Sequence, residues 1–218
     1  MKNNLKDITK ENVSEKILVR NEGGLCYELN SLLNAFLREN GFNAILVFGV
    51  VFNRGSNEWS PTGRTHVLNI LTYKGKKFVV DTGFGGNCPL KPVPLDSTIV
   101  TSRNGEFRVR KEKSEFGDYI LEMKLKNRDL EWGIGYAFDP VDPVKGVCDL
   151  NLVQQVIAES PSSPFNKRTI LTKFTEQGNV TLTDTSLTQW IDGREVKTQI
   201  DQTNFKKMAK QYFGIEVN

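Results

Sequence analysis

The sequence predicts an α+β protein on three observations. Two amphipathic segments near the start are typical of helices, the middle of the chain alternates apolar segments with turn dipeptides, and the last third mixes helices with strands. Few segments could serve as parallel crossovers, so the strands are expected to pair antiparallel. With 38% hydrophobic and 25% charged residues in 218, the composition is that of an ordinary globular protein.

Two helices are predicted before residue 42. The first begins after Thr9, a favourable N-cap, with Ile8 and Val13 placed as a hydrophobic staple, and runs to about Arg20. The polar segment Asn21–Gly24 then ends it.

The second helix is predicted from Cys26 to Asn40, with Gly41 in the position of a left-handed C-terminal cap. It places Cys26 in its first turn. The apolar residues that recur at helical spacing, and predict its buried face, are Leu29, Leu32, Leu33, Phe36 and Leu37.

From residue 42 the pattern is mainly that of strands. The apolar run Phe42–Phe52 predicts a strand covered on both faces, and Lys74-Gly75-Lys76 separates two strands of a hairpin. Asn104-Gly105 predicts a type I′ turn. Further strands of an antiparallel meander are predicted at 99–103, 106–111, 119–126 and 130–138.

The C-terminal part begins with a helix predicted near 149–159, followed by the loop Ser160–Phe165. Two strands come next, then a hairpin at Asp192-Gly193 and a final helix from Asp201 to Phe213.

Charge and composition argue against several classes of protein. Lys and Arg number 29 against 26 Asp and Glu, and a net charge of +3 is too balanced to suggest a nucleic-acid partner. No apolar run is long enough to cross a membrane and no secretory signal is recognised, so a cytoplasmic location is expected. Three cysteines and one histidine, without metal-finger spacing, favour neither a disulfide scaffold nor a metal site.

Cys26 is the candidate nucleophile. A free thiol is only about 3% thiolate at pH 7, but the unpaired N–H groups and the dipole at the start of a helix favour the charged form. The alternative is that Cys26 is a small buried apolar residue, which is the usual role of an intracellular cysteine. Cys88 and Cys148 are expected to serve packing.

His66 and Asp81 are predicted to lie on the two arms of one hairpin. A loop of two residues within Lys74-Gly75-Lys76 makes paired positions sum to an odd number. Asp81 then faces Leu68 or Ile70, and both of these lie on the same side of their strand as His66. A three-residue loop or a bulge would instead separate the two side chains. The alternative is an interior histidine and an aspartate that merely ends a strand.

Four segments carry these residues in a recognisable order. They are Arg20–Asn30 (RNEGGLCYELN), Thr62–Leu68 (TGRTHVL), Val79–Gly86 (VVDTGFGG) and Ser160–Phe165 (SPSSPF). Together they resemble the nucleophile, histidine, aspartate and serine-rich motifs of the arylamine N-acetyltransferases.

That resemblance implies a mechanism. Cys26 would accept the acetyl group of acetyl-coenzyme A as a thioester, with His66 as general base positioned by Asp81. An arylamine or arylhydrazine would then collect the acetyl group, giving ping-pong kinetics and a role in xenobiotic metabolism. Phe84 would form a wall of the acceptor site. The residues implied to contact coenzyme A are Thr62, Gly63, Gly85, Ser162 and Ser163.

The resemblance also implies three parts: residues 1–41 as a short helical part with the catalytic cysteine at a helix N-terminus, 42–140 as an antiparallel β-barrel, and 141–218 as an α/β lid. Only 25 residues precede Cys26, so the N-terminal helices usual in the family are expected to be largely absent. Leu25 stands where the family commonly has an aromatic residue, which implies an altered acceptor pocket. A monomer and a homo-oligomer remain equally open.

Two other functions fit the same residues. A papain-like amidase or peptidase uses the same cysteine, histidine and carboxylate logic with water as acceptor. A catalytically silent relative would bind coenzyme A without turnover.

Overall fold

The computed structural model describes residues 5–217, which form two antiparallel sheets and four α-helices. The helices are α1 (Lys10–Ser14), α2 (Cys26–Glu39), α3 (Val147–Glu159) and α4 (Gln202–Met208). Turns of π-helix at Glu15–Val19 and Ala209–Phe213 extend α1 and α4. No helix in the described range combines the length and the apolar character needed to cross a membrane.

The larger sheet has nine strands and curls into a nearly closed barrel, with the order β5-β4-β3-β1-β9-β8-β7-β6 and β2 paired to β1. Its strands are β1 (Asn43–Asn53), β2 (Glu58–Trp59), β3 (His66–Tyr73), β4 (Lys76–Val80), β5 (Val93–Pro94), β6 (Val100–Ser102), β7 (Gly105–Ser114), β8 (Gly117–Leu125) and β9 (Gly133–Pro143). The predicted antiparallel meander is therefore confirmed, and so is the α+β class.

The second sheet has four strands, β10 (Ile170–Phe174), β11 (Gly178–Thr183), β12 (Ser186–Ile191) and β13 (Arg194–Gln199). The β12–β13 hairpin turns at Asp192-Gly193, as predicted, with both residues at positive φ. The final helix begins after Asp201, whose side chain accepts the Asn204 N–H.

Helix α1 begins as its capping residues predict. Thr9 accepts the backbone N–H of Asn12 at 3.2 Å, and Ile8 and Val13 are buried in one cluster beneath it. Arg20 ends the π-helical turn that follows.

Helix α2 has the predicted limits, since Asn40 is its C-cap and Gly41 has φ +80°. Its predicted buried face is wrong in part. Phe36 is 60% exposed, and the leucines are only half-buried. The most buried positions are Tyr27, Glu28, Asn30 and Asn34. The helix turns a polar face toward the barrel, where Asn30 and Asn34 meet the buried side chain of Asn69.

The β3–β4 hairpin decides where Asp81 lies. Its loop has two residues, Lys74 and Gly75, with φ of +48° and +76°, so the turn matches the strand twist. Asn69 pairs with Val80. Asp81 therefore follows on the same face of the sheet as His66.

The turn predicted at Asn104-Gly105 is wrong by one residue. Ser102 pairs with Gly105, so Arg103 and Asn104 form the loop and neither has positive φ. A tertiary contact accounts for the shift, because the Asn104 side chain donates to the carbonyl of Cys88 at 2.8 Å.

The main core fills the barrel. Its fully buried side chains include Leu68, Phe107, Leu121, Tyr136 and Phe138. Each large apolar side chain removed from water contributes about 1.5–3 kcal/mol. The hydroxyl of Tyr136 is a polar group at the edge of this core, and it reaches the carboxylate of Asp81.

Candidate active site

Cys26 is the first residue of α2, and its thiol lies half-buried beside strand β3. The Sγ atom donates to the carbonyl oxygen of Thr65 at 3.5 Å. Glu28 holds this helix end in place, because its carboxylate accepts the Leu25 N–H at 2.9 Å and pairs with Lys16. The first N–H groups of a helix have no acceptor within it, so negative charge is favoured here.

His66 and Asp81 form a hydrogen-bonded pair. His66 Nε2 lies 2.8 Å from Asp81 Oδ2, and the two side chains are 3% and 0% exposed. Burial by itself lowers the pKa of His66. The charge of Asp81 and its hydrogen bond outweigh that effect, with smaller contributions from Cys26, so the pKa of His66 is raised above 6.5. Nε2 is occupied by Asp81, which leaves Nδ1 as the ring nitrogen available to the thiol.

Asp81 accepts four hydrogen bonds. Oδ2 receives His66 Nε2 and the Tyr136 hydroxyl (3.0 Å), while Oδ1 receives Asn30 Nδ2 (2.8 Å) and the Gly83 N–H (2.7 Å). Burial by itself raises the pKa of this carboxyl, but the charge of His66 and these donors outweigh it and lower the pKa below 3.8. Burial and the nearby carboxylate raise the pKa of Tyr136 well above 10.0, which keeps its hydroxyl a donor.

Three residues of this arrangement, Asn30, Gly83 and Tyr136, were missed by the sequence analysis. Asn30 could have been found, since it follows Cys26 by four residues and shares its helix face. Gly83 has a steric role, because a Cβ placed on it would lie 2.7 Å from Cβ of Cys26. Tyr136 carries no local signal, since it lies 55 residues from Asp81.

Phe84 packs against the rings of His66 and Tyr136. Its ring centroid lies 5.3 Å from that of His66 and 5.0 Å from that of Tyr136, in an edge-on arrangement with the latter. One side of the histidine is therefore covered by aromatic rings.

A cleft of about 1430 Å³ opens onto Cys26, His66 and Asp81. Of the residues expected to contact coenzyme A, Thr62, Gly85 and Ser162 line it, as does Phe84. Gly63 and Ser163 are not part of the lining. Ser163 is fully buried, and its hydroxyl accepts the Phe165 N–H at 3.3 Å in a capped turn.

The cleft is also lined by positively charged side chains that could bind the phosphate groups of a cofactor. Lys91, Arg128 and Lys173 line it, and so does Arg54, which is paired with Asp129 at 2.8 Å. For a metal ion, no group of three or more His, Cys, Asp or Glu side chains is suitably placed between residues 5 and 217.

The other two cysteines, Cys88 and Cys148, differ from each other in burial. Cys88 is buried at the edge of the cleft and accepts the Phe84 N–H at 3.0 Å, and burial followed by the charge of Asp81 raises its pKa. Cys148 is exposed at the start of α3, so its predicted packing role is wrong. Cys148 lies in the first turn of α3, where its side chain points to solvent rather than into the core.

Cys26, His66 and Asp81 thus combine a thiol at a helix end, an imidazole beside it and a buried carboxylate bonded to the ring. This is the set of groups required for acyl transfer through a covalent intermediate.

Comparison with known proteins gives one consistent family. A family model described as N-acetyltransferase matches residues 1–218. The chain is similar to an uncharacterized acetyltransferase, YvcN, of Bacillus subtilis, with 35% identity over 94% of this chain and 79% of the relative.

Solved structures agree. Arylamine N-acetyltransferase C from Bacillus anthracis superposes with a TM-score of 0.91 at 41% identity, covering 97% of this chain and 81% of that one. The NAT3 arylamine N-acetyltransferase from Bacillus cereus has the same TM-score at 39% identity, covering 98% and 82%. That enzyme is described as having a unique Cys-His-Glu catalytic triad, whereas the carboxylate at His66 here is an aspartate.

Proposed function

The chain belongs to the arylamine N-acetyltransferase family, and from that premise we propose that it transfers acetyl from acetyl-coenzyme A to an arylamine or arylhydrazine. Transfer proceeds in two steps through a thioester on Cys26. The observation that supports this most directly is the His66–Asp81 hydrogen bond of 2.8 Å beside a thiol that opens a helix and faces a cleft.

In the first step Cys26 reacts as the thiolate of an ion pair, with its proton already held at Nδ1 of His66, whose pKa is raised above that of a free imidazole. The thiolate attacks the acetyl carbonyl carbon, and the N–H groups of the first turn of α2 favour the negative charge that develops on oxygen. The carbon–sulfur bond to coenzyme A breaks, and the proton on His66 passes to the departing thiolate. Acetyl-Cys26 and coenzyme A result.

In the second step the amine nitrogen attacks the carbonyl carbon of acetyl-Cys26, and His66 accepts a proton from that nitrogen. The bond to the Cys26 sulfur breaks, which leaves the Cys26 thiolate beside protonated His66 as at the start of the cycle. Asp81 stays ionised throughout because its donors favour the carboxylate, and it holds the imidazole in one tautomer.

The cleft offers separate features for the two substrates. Phe84 is suited to stack on an aromatic acceptor. Thr62, Gly85 and Ser162 suit the pantetheine arm, and the cleft cations suit the phosphates, which Lys and Arg bind well. Gly63 and Ser163 do not line the cleft, so a contact of either residue with coenzyme A has no comparable support.

The division into parts belongs to this proposal as well. Residues 1–41 carry the nucleophile, 42–140 form the barrel that holds His66 and Asp81, and 141–218 act as a lid over the cleft. Three free cysteines suit a reducing compartment, which favours a cytoplasmic enzyme. The proposed role toward xenobiotic amines comes from the family alone.

Mass spectrometry after treatment with acetyl-coenzyme A tests the proposal. We expect one acetyl group on the peptide containing Cys26, its loss when an arylamine is added, and stoichiometric formation of the acetylated amine. Cys26→Ala should abolish the adduct, while Cys148→Ser, at an exposed thiol, should leave it unchanged. No adduct on the wild type would favour a silent relative, and amide hydrolysis without coenzyme A would favour a papain-like amidase.

A further inference from the structure

Three asparagine side chains lie in a row between α2 and β3, and the row ends on Asp81. Asn34 Nδ2 donates to Asn69 Oδ1 at 2.9 Å, and Asn69 Nδ2 donates to Asn30 Oδ1 at 3.2 Å. Asn30 Nδ2 then donates to Asp81 Oδ1 at 2.8 Å. Asn30 and Asn69 are fully buried and Asn34 is 8% exposed. The two-step mechanism uses neither Asn34 nor Asn69, and neither lines the cleft.

The chemistry of the partners determines which way each amide points. A carboxylate only accepts, so Asn30 must present Nδ2 to Asp81, and its Oδ1 receives the Thr82 N–H at 3.1 Å. Asn69 faces the backbone carbonyl of Asn30 at 3.1 Å, which also only accepts, so Asn69 presents Nδ2. Its Oδ1 is left for Asn34. All three amides therefore donate toward the carboxylate, and hydrogen bonds aligned in this way polarise one another.

We propose that Asn69 is a positioning residue for the reaction, acting through Asn30 on Asp81. Asn30 keeps its orientation through other partners, because its Oδ1 also receives the Thr82 N–H and hydroxyl and its Nδ2 also donates to the Val67 carbonyl at 2.8 Å. Asn69 adds a third donor to Oδ1, which polarises the Asn30 amide and strengthens the hydrogen bond that its Nδ2 donates to ionised Asp81. Without Asn69 that donation to the carboxylate is weaker. The catalytic consequence rests on the proposed function, but the effect on the His66–Asp81 pair does not.

The experiment uses the fact that the chain has a single histidine, so its ring N–H resonance in NMR is unambiguous. That resonance persists while ionised Asp81 holds the Nε2 proton. In Asn69→Leu, which keeps the branching at Cγ but removes the donor and the acceptor, we expect it to disappear on acidification about half a pH unit or more above the wild type. We also expect kcat to fall about tenfold with KM unchanged, since Asn69 touches no part of the cleft.

Ile70→Val is the matched control. Ile70 is the next residue on β3 and faces the barrel core, so this change lowers the melting temperature without altering the NMR transition or kcat. Asn34→Leu breaks the far end of the row and is expected to give a smaller shift in the same direction.

A folded Asn69→Leu protein with the wild-type NMR transition would overturn the proposal. If Asn69→Leu does not fold, a folded Asn34→Leu protein with the wild-type NMR transition overturns the proposal. A wild type that forms no acetyl-Cys26 refutes the proposed function alone, because the NMR comparison needs no turnover.

Discussion

His66 is the only histidine in the chain, so in the proposed mechanism one imidazole has to carry the proton in both steps. Its environment suits that role. Asp81 holds Nε2 at 2.8 Å, and the rings of Phe84 and Tyr136 cover the imidazole at centroid distances of 5.3 and 4.7 Å. A ring fixed in this way keeps one tautomer and needs little reorganisation when it accepts a proton.

The raised pKa of His66 predicts how stability depends on pH. The folded protein binds the His66 proton more tightly than the unfolded chain, so this contribution is complete below about pH 6.5 and is lost as pH rises through the folded pKa of about 10. We expect the free energy of unfolding to fall between pH 6 and pH 9 more in the wild type than in His66→Gln. Urea titrations at both pH values measure this. An equal fall in the free energy of unfolding in the two proteins would contradict it.

At the scale of elements, the site depends on how closely the segment after β4 approaches the start of α2. Gly83 lies at this contact and donates its N–H to Asp81 at 2.7 Å. A Cβ there would lie 2.7 Å from Cβ of Cys26 and 2.8 Å from Nδ2 of Asn30, and neither of these atoms can yield freely. The glycine therefore allows the Cys26 thiol and the Asp81 carboxylate to lie in one site.

Gly83→Ala is expected to push the Asp81 segment away from α2 and to slow both alkylation of Cys26 by iodoacetamide and turnover by at least about tenfold, because catalytic geometry tolerates little displacement. Rates at pH 7 with peptide mapping check this. Gly146→Ala is the control, since a Cβ there meets nothing within 4 Å and the residue lies outside the cleft. Equal rates for Gly83→Ala and the wild type would show that the contact is not tight.

At the scale of the molecule, the cleft lies between the barrel and the second sheet. Strand β10 lines it through Ile170, Thr172 and Phe174. Away from β10, the sheets also meet where Arg128 of the β8–β9 loop lies over the ring of Trp190, 5.9 Å from its centroid. Cys26, His66 and Asp81 belong to α2 and the barrel, whereas one wall of the cleft belongs to the other sheet.

Trp190→Ala removes the contact with Arg128 and should therefore weaken the packing of the second sheet, which forms one wall of the cleft. It should leave Cys26, His66 and Asp81 in place. We expect KM for acetyl-coenzyme A to rise several-fold while kcat changes by less than about twofold. Val196→Ala, at an exposed residue of β13, is the control and should change neither constant. Steady-state kinetics decide the matter, and a Trp190→Ala protein that loses kcat with unchanged KM would refute this role.

Much of the fold could be predicted from the sequence because the signals are local. Thr9 and Asp201 mark helix starts, and Lys74-Gly75 and Asp192-Gly193 mark hairpins, each through a few neighbouring residues. Where a distant partner competes, local signals fail. Asn104 serves the carbonyl of Cys88 rather than a type I′ turn, and Phe36 is exposed because the opposite face of α2 packs on the barrel.

The same division holds for the candidate site. The amino-acid sequence by itself determined that Cys26 opens a helix, and it restricted His66 and Asp81 to a hairpin in which a two-residue loop brings them to one face. Only the tertiary structure decided that Asn30 and Tyr136 donate to Asp81, which lies 51 and 55 positions from them, and that Asn69 donates to Asn30, 39 positions away. Backbone propensity acts over a turn or a strand, whereas contacts at such separations depend on how helix and sheet pack together.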